Sequence, residues 1–451
     1  MTLSKRASLK QVVRLLRSHK GELSPAGRAE RLSASRRLRT LLTLAASVLL
    51  SSSTGVFAAG LFEPLSSAEA ASFPVAVVSP VNVRDRLVRL DYRYMESNLA
   101  PLGADMERSR VRRAPTAASI DVELFPDLSV TIERTRLEKA RGEGGGLIWS
   151  GSMTDDAIGD AVLVVSGGQI TGRILYERRL FRITPVSGAV HRIVEIDASK
   201  FPGDVVVIPP RADRGIVEGI KESARKTEIR ILMPYTKKAA SESGHIVQDA
   251  KLAIALGNRS LRNAGVRIRY VLAGTMKVPG YAEPTDFSDT LHDLTYGTGG
   301  FDAVHAMRDS TQADLVALLR VGLQYCGIGW LNEDPDPASE QWGFSVTSIE
   351  CVSDDTVSHE VGHNQGLRHD RFVEPKAPKS RYNYGFVNKN ARIRSVMAYT
   401  NKCSSCTKVL MYSSSKKKYK GHKLGIKQGK RGAADAARTL DENRSVISNF
   451  R

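Results

Sequence analysis

The stretch Ser358-His359-Glu360-Val361-Gly362-His363-Asn364-Gln365-Gly366-Leu367-Arg368-His369-Asp370 decides how the rest of this chain is read. On a helix, residues four apart share a face, so His359 and His363 aim their imidazoles at one place. Glu360, one step on and rotated by about 100°, stands beside that place without being a ligand. Gly366 can take the left-handed backbone that ends a helix and turns the chain back, bringing His369 in as a third ring. Three neutral imidazoles around one Zn²⁺ leave a fourth position open to water, which marks a catalytic rather than a structural site. Glu360 is then the general base.

Upstream of this segment the pattern is mixed α/β. Ile229, Ile231 and Met233 alternate as a strand, and His245 to Asn263 reads as a helix closed by Gly265. Val266–Ala273 is a second strand, Thr285–Tyr296 and Asp302–Asp309 are helices, and Ala313–Arg320 is a buried strand. Phe344–Ile349 is a further strand just ahead of the histidines. Alternating strands and helices imply a layered α/β or α+β domain over 226–451, a mixed sheet with the histidine helix packed on it.

Residues 72–225 read differently. Leu128, Val130 and Ile132 alternate with polar neighbours, and Ala161–Val165, Gln169–Leu175 and Leu180–Thr184 follow as short strands. Gly167-Gly168 and a charged turn near Glu177–Arg179 separate them. This is a β-rich domain with no His/Cys/carboxylate cluster. From 202 to 226 the chain reads as a loop-like linker with Pro209-Pro210, and the domain boundary is placed there. Residues 1–70 read as a leader, with a basic stretch, the apolar run Leu41–Leu50, and small residues offering cleavage after Ala58 or Ala70. Ten apolar residues are too few to span a bilayer of about 30 Å, and nothing later in the chain is apolar for longer. Export is expected, to the outside, the periplasm or the cell surface.

The 451 residues carry 66 Lys+Arg against 48 Asp+Glu, a formal charge of +18. Eleven Lys/Arg and two Glu fall within residues 1–39, so half of that excess sits in the leader. With no helix-turn-helix, RNP or zinc-finger spacing, nucleic-acid binding is set aside. A second basic run, Lys408, Lys416–Lys418, Lys420, Lys423, Lys427, Lys430 and Arg431, is either a solvated face or a rim favouring acidic substrates. The four cysteines, Cys326, Cys351, Cys403 and Cys406, fit two disulfides in an exported protein. A Cys326–Cys351 bridge would brace the approach to the histidine helix. Cys403 and Cys406 form a C-x-x-C that could also be redox-active or bind metal, though no second such pair completes a zinc site. A local disulfide is the favoured reading.

The histidine segment resembles the zinc signature of the metzincin clan, and its form HEVGHNQGLRHD resembles the reprolysin/adamalysin branch. That resemblance assigns His359, His363 and His369 as zinc ligands, Glu360 as the catalytic carboxylate, and Asp370 and Gly366 as structural parts of the motif. It also implies a methionine turn beneath the metal, matched by Ser395-Val396-Met397-Ala398-Tyr399. Tyr325–Ile328, Tyr382–Gly385 and residues 433–451 resemble bacterial reprolysin-like enzymes, including the peptidyl-Asp metalloendopeptidases, as do Phe125–Ile132 and Ile183–Asp197. The resemblance implies a secreted zinc endopeptidase acting on proteins or peptides, with residues 72–225 as an inhibitory propeptide. Tyr399 stands where astacins and serralysins have a tyrosine that approaches the metal; it is equally readable as a packed ring. Some related proforms block zinc with a thiolate, but no cysteine precedes Cys326, so inhibition here must be steric or use another ligand. The sequence assigns no calcium site. The rival from a different class is a non-proteolytic binding protein or toxin with zinc only for structure, a reading that gives Glu360 no purpose.

Overall fold

The computed structural model describes residues 60–75, 79–99, 119–210, 226–374 and 380–451. The basic stretch and apolar run of the leader lie outside the described residues. Two sheets carry the architecture. The first contains β1 (Phe62–Pro64), β2 (Asn82–Leu90), β3 (Ser119–Phe125), β4 (Leu128–Lys139), β5 (Leu147–Ser152), β6 (Asp160–Ser166), β7 (Gln169–Tyr176), β8 (Arg179–Ser187) and β9 (Val190–Ile196). Its order is β1-β2-β9-β8-β7-β6-β5-β4-β3, and every neighbour pair is antiparallel. Gly167-Gly168 and Glu177-Arg178 both have positive φ at two successive residues, the geometry of tight two-residue hairpins.

The sheet is covered on two sides in its middle. One face packs Val122, Trp149, Leu163, Ile174, Phe181 and Ile193 into a common core. On the other, Ile148, Val162 and Val164 meet Leu252, Ala255 and Leu256 of the helix Ile246–Ala264. That explains why β6 reads as an unbroken apolar run instead of alternating: all seven of its residues are buried.

The second sheet contains β10 (Val205–Val207), β11 (Thr227–Tyr235), β12 (Ile268–Lys277), β13 (Leu315–Arg320), β14 (Gly327–Trp330) and β15 (Phe344–Ser348), in the order β10-β14-β15-β13-β11-β12. β12, β11, β13 and β15 run parallel, and β14 is antiparallel to β15. The Ile246–Ala264 helix connects β11 to the parallel β12, as such a crossover requires, and ends at Gly265 with φ +79°. One expectation is corrected. The 202–226 stretch is not loop throughout, because Val205–Val207 forms β10, parallel to β14. Three successive β-branched residues beside an unfilled sheet edge suit strand addition, and the nearby prolines hid that.

Cys326–Cys351 ties the start of β14 to the turn following β15, and Cys403–Cys406 closes a local loop. Among the described residues, no helix is long and apolar enough to cross a membrane.

Candidate metal centre

The helix Thr356–Asn364 is buried along its whole length, an unusual environment for a sequence with two histidines and a glutamate. Its neighbours account for the polar groups. Asn364 donates from Nδ2 to the carbonyls of Trp330 and Phe344, pinning the helix end to β14 and β15. Ser358 donates to Asp355, and Tyr412 donates to the Ser358 carbonyl. After the helix, Gly366 has φ +96°, and an added Cβ there would lie 2.8 Å from Asn443 and 3.0 Å from the Asn332 carbonyl. That turn sends the chain back so that His369 faces the two helical histidines.

The three rings share one orientation logic. His359 Nδ1 lies 3.0 Å from the Val396 carbonyl and His363 Nδ1 lies 2.7 Å from the Leu367 carbonyl. His369 Nδ1 is 3.5 Å from Glu374, whose carboxylate also accepts the His369 backbone N–H. With Nδ1–H donating, each Nε2 keeps its lone pair for a ligand. Those Nε2 atoms lie within 4.8 Å of one another, and the His363–His369 pair is 3.1 Å apart. A tetrahedral ion at about 2.0–2.1 Å from each nitrogen needs them about 3.3 Å apart. His359 Nε2 has no hydrogen-bond partner. Burial lowers the pKa of all three rings, that of His363 to about 4, and neighbouring rings lower His359 and His369 further. The neutral, metal-binding form is therefore favoured. The residues fit a single divalent ion of the zinc type.

Glu360 is fully buried, and neither carboxylate oxygen has a hydrogen-bond partner. Space for it comes from Gly327 on β14, where any Cβ would approach Glu360 Oε1 to 2.4 Å. Burial, and next the Asp204 carboxylate, push the Glu360 pKa well up. Met397 is buried beneath the helix, and its sulfur would sit 2.9 Å from a Cβ at position 362, so Gly362 is what lets the turn close under the metal site. Asp370 accepts the backbone N–H of Tyr399 at 2.9 Å and that of Phe372 at 2.8 Å, which fixes the methionine turn to the strand carrying His369. The Tyr399 hydroxyl comes within 2.9 Å of His369 Nε2.

Sequence reasoning missed two contributors. Asp204, within the supposed linker, puts Oδ2 3.6 Å from His359 Nε2, and its carbonyl accepts the Tyr399 hydroxyl. No local pattern announces it; the only hint was the lack of an upstream cysteine. The second is Arg394. It is buried, its Nε has no partner, and with Lys408 it supplies the basic lining of a cavity of about 110 Å³ bounded also by Asp204, Tyr399 and Thr400. The basic run thus divides: Lys408 is buried against Asp354 at 2.7 Å, whereas Lys416–Lys418 are exposed on a hairpin.

Residues 226–413 match the family described as Metallo-peptidase family M12. The peptidyl-Asp metalloendopeptidase of Stenotrophomonas maltophilia strain R551-3 is 29% identical over 433 residues, spanning 89% of this chain and all of that protein. That of Xanthomonas campestris pv. campestris is 26% identical over 344 residues, covering 71% of this chain and 80% of that protein. The crystal structure of metalloproteinase-II from Bacteroides fragilis overlaps 68% of this chain and 91% of its own at TM-score 0.41 and 13% identity, too loosely to bear on function. Fold, site and matches together define a metalloendopeptidase, a hydrolase of peptide bonds. It is of the metzincin-like bacterial kind, with the M12 domain in its C-terminal half and a β-rich region ahead of it.

Proposed function

We propose that this protein is an exported zinc endopeptidase, made as a precursor, that uses Glu360 as general base and favours acidic residues beside the cleaved bond. The observation that carries the reading is the trio of Nε2 atoms facing one point, with the unpartnered Glu360 carboxylate next to it. Bound by those rings, zinc supplies Lewis acidity, polarising the scissile carbonyl and acidifying a water. Glu360 accepts the water's proton and returns it to the departing amine; its raised pKa suits a group that must hold a proton between the two steps. The Tyr399 hydroxyl is placed to donate to the oxygen on which negative charge develops.

Arg394 and Lys408 support the acidic preference, since both line the cavity that adjoins Tyr399, where Asp354 and Asp204 offset part of their charge. The relatives' printed activity, peptidyl-Asp cleavage, agrees with such a pocket. Export is supported by the apolar run Leu41–Leu50 and the two disulfides. Cleavage after Ala58 suits the structure better than cleavage after Ala70, because Leu61 and Phe62 are buried in the first sheet.

The test is hydrolysis of matched Asp- and Asn-containing peptides by the processed enzyme, with and without a chelator, alongside metal analysis. Zinc near one equivalent, loss of cleavage on chelation and preference for the Asp peptide are expected. Cleavage that survives complete metal removal would end the proposal.

A further inference from the structure

We infer that the lysine hairpin over 414–424 is a docking surface for a linear acidic polysaccharide, one bearing carboxylate or sulfate groups along its chain. This goes beyond the peptidase reading and does not depend on it, because the hairpin borders a groove that shares no residue with the metal centre.

The sequence sets the charge. From 375 to 434 the chain holds sixteen Lys and Arg and no Asp or Glu. The fold then sorts these cations. Lys408 is buried against Asp354, and Lys420 donates to the Gly159 carbonyl. Lys416–Lys418, Lys423, Lys427, Lys430 and Arg431 are exposed, and among the described residues none of these seven pairs with a carboxylate. Arg438 shares the groove, but Glu442 holds it at 2.8 Å. The match to the M12 family ends at residue 413, just before the hairpin, and so assigns it no role.

A merely solvated face does not account for the arrangement. Strands Ser414–Tyr419 and His422–Leu424 pair antiparallel with Lys418 directly opposite Lys423, and like charges so placed repel. Between Ser414 and Lys418 three residues have no opposite number, so Lys416 and Lys417 bulge out of the ladder. The bulge is built into the fold. Ser415 donates both its N–H and its hydroxyl to the Asp435 carboxylate, and the Lys417 N–H bonds to Ser414 Oγ. Gly425 makes room for the Ser414 backbone, which would lie 2.5 Å from any Cβ there. Asp435, the acid at the base of the bulge, is itself buried and occupied in shaping it.

The chemistry of the groove narrows the partner. Its volume is about 750 Å³, and Ser415 and Gln428 add polar groups suited to sugar hydroxyls. Tyr419 and Leu424 are buried, so the hairpin presents neither an aromatic platform for bases nor an apolar wedge for a membrane. Six of the seven exposed cations are lysines, point charges that follow a charged chain rather than grip one carboxylate by two bonds, as arginine does.

The test uses the full-length chain with polygalacturonate as the carboxylate arm and heparin as the sulfate arm, and with poly-glutamate and single-stranded DNA as rivals. Affinity is measured across salt for wild type and two variants. One is Lys416→Ala/Lys417→Ala/Lys418→Ala; the other, Lys237→Ala/Lys238→Ala/Lys277→Ala, removes equal charge from exposed positions elsewhere. Wild type and the distant variant should bind a polysaccharide alike, and the hairpin variant about tenfold or more weaker at low salt, with a shallower salt dependence. Whichever polysaccharide binds tighter names the anionic group. The melting temperature of the hairpin variant should equal or exceed that of wild type, since it loses mutual repulsion; a marked fall would make the lysines structural and overturn the inference. Equal weakening by both variants would reduce the effect to net charge and overturn it too. So would failure to bind either polysaccharide, or tighter binding of DNA or poly-glutamate.

Discussion

His191 in the first sheet and His359 in the second are both fully buried, yet they differ at one nitrogen. His191 is satisfied twice: its Nε2 accepts the Ile170 backbone N–H at 3.0 Å, and its Nδ1 lies 2.8 Å from the Ala189 carbonyl. His359 is satisfied once, at Nδ1, and its Nε2 is left bare. The carboxylates repeat the contrast, with Asp160 paired to Arg173 and Glu360 paired to nothing. Buried polar groups are normally matched, because leaving one unmatched costs about 1–3 kcal/mol and more for a charge. His191 obeys that rule at both nitrogens, and Asp160 keeps one oxygen on Arg173 while the other is unmatched. The cleft departs from the rule where a metal, a water and a peptide are to be received.

The hardest test of this contrast is Glu360→Gln. If Glu360 is kept unmatched for chemistry, the amide should lower turnover by about 10²–10⁴-fold. Zinc content should stay near wild type, since Glu360 is not among the three facing nitrogens. Removing a buried, unpartnered carboxylate should also leave thermal stability of the metal-free protein equal or higher. Turnover near wild type would place the base elsewhere, and loss of zinc would make Glu360 a ligand.

How much of this was readable beforehand follows from sequence distance. The three histidines lie within eleven positions on one helix and its turn, so helical geometry alone brings them together. β6 to β8 were legible because tight turns at Gly167-Gly168 and Glu177-Arg178 keep their partners adjacent in sequence. Asp204 was not, because it is 155 residues (359 − 204) from the ring it approaches and enters through a three-residue strand. The role of Gly362 was invisible for a similar reason: the sulfur that demands it belongs to Met397. The lysines show the remaining limit. Charge is printed in a sequence, but the difference between buried Lys408 and exposed Lys416–Lys418 is made by the fold.

A smaller effect should appear in the first sheet, where His191 sharpens the comparison through pH. Burial, with His245 nearby, lowers its pKa from 6.5 to about 4, while the hydrogen bond to Ala189 opposes the shift. Between those values the unfolded chain binds the proton and the folded chain does not. Stability is therefore full above about pH 6.5 and falls as pH drops toward 4, by roughly 3 kcal/mol for this group. Urea unfolding at pH 7 and pH 4.5 should show part of that loss in wild type and a reduced loss in His191→Gln. An equal pH slope in both proteins would mean that the imidazole is not held neutral by its two partners.

The smallest effect is expected at Cys403–Cys406, a bridge across a sequence separation of three beside the methionine turn. A loop that short restricts the unfolded chain little, so replacing both cysteines by serine should cost roughly 1.5 kcal/mol. Its two serines, Ser404 and Ser405, line the outer pocket that also includes Arg394 and Lys408, so the loop borders the proposed acid-binding region without reaching the histidines. Zinc content of the double variant should match wild type, with a modest fall in melting temperature and any change confined to KM for acidic peptides. A large loss of zinc would move this loop from the rim into the metal centre.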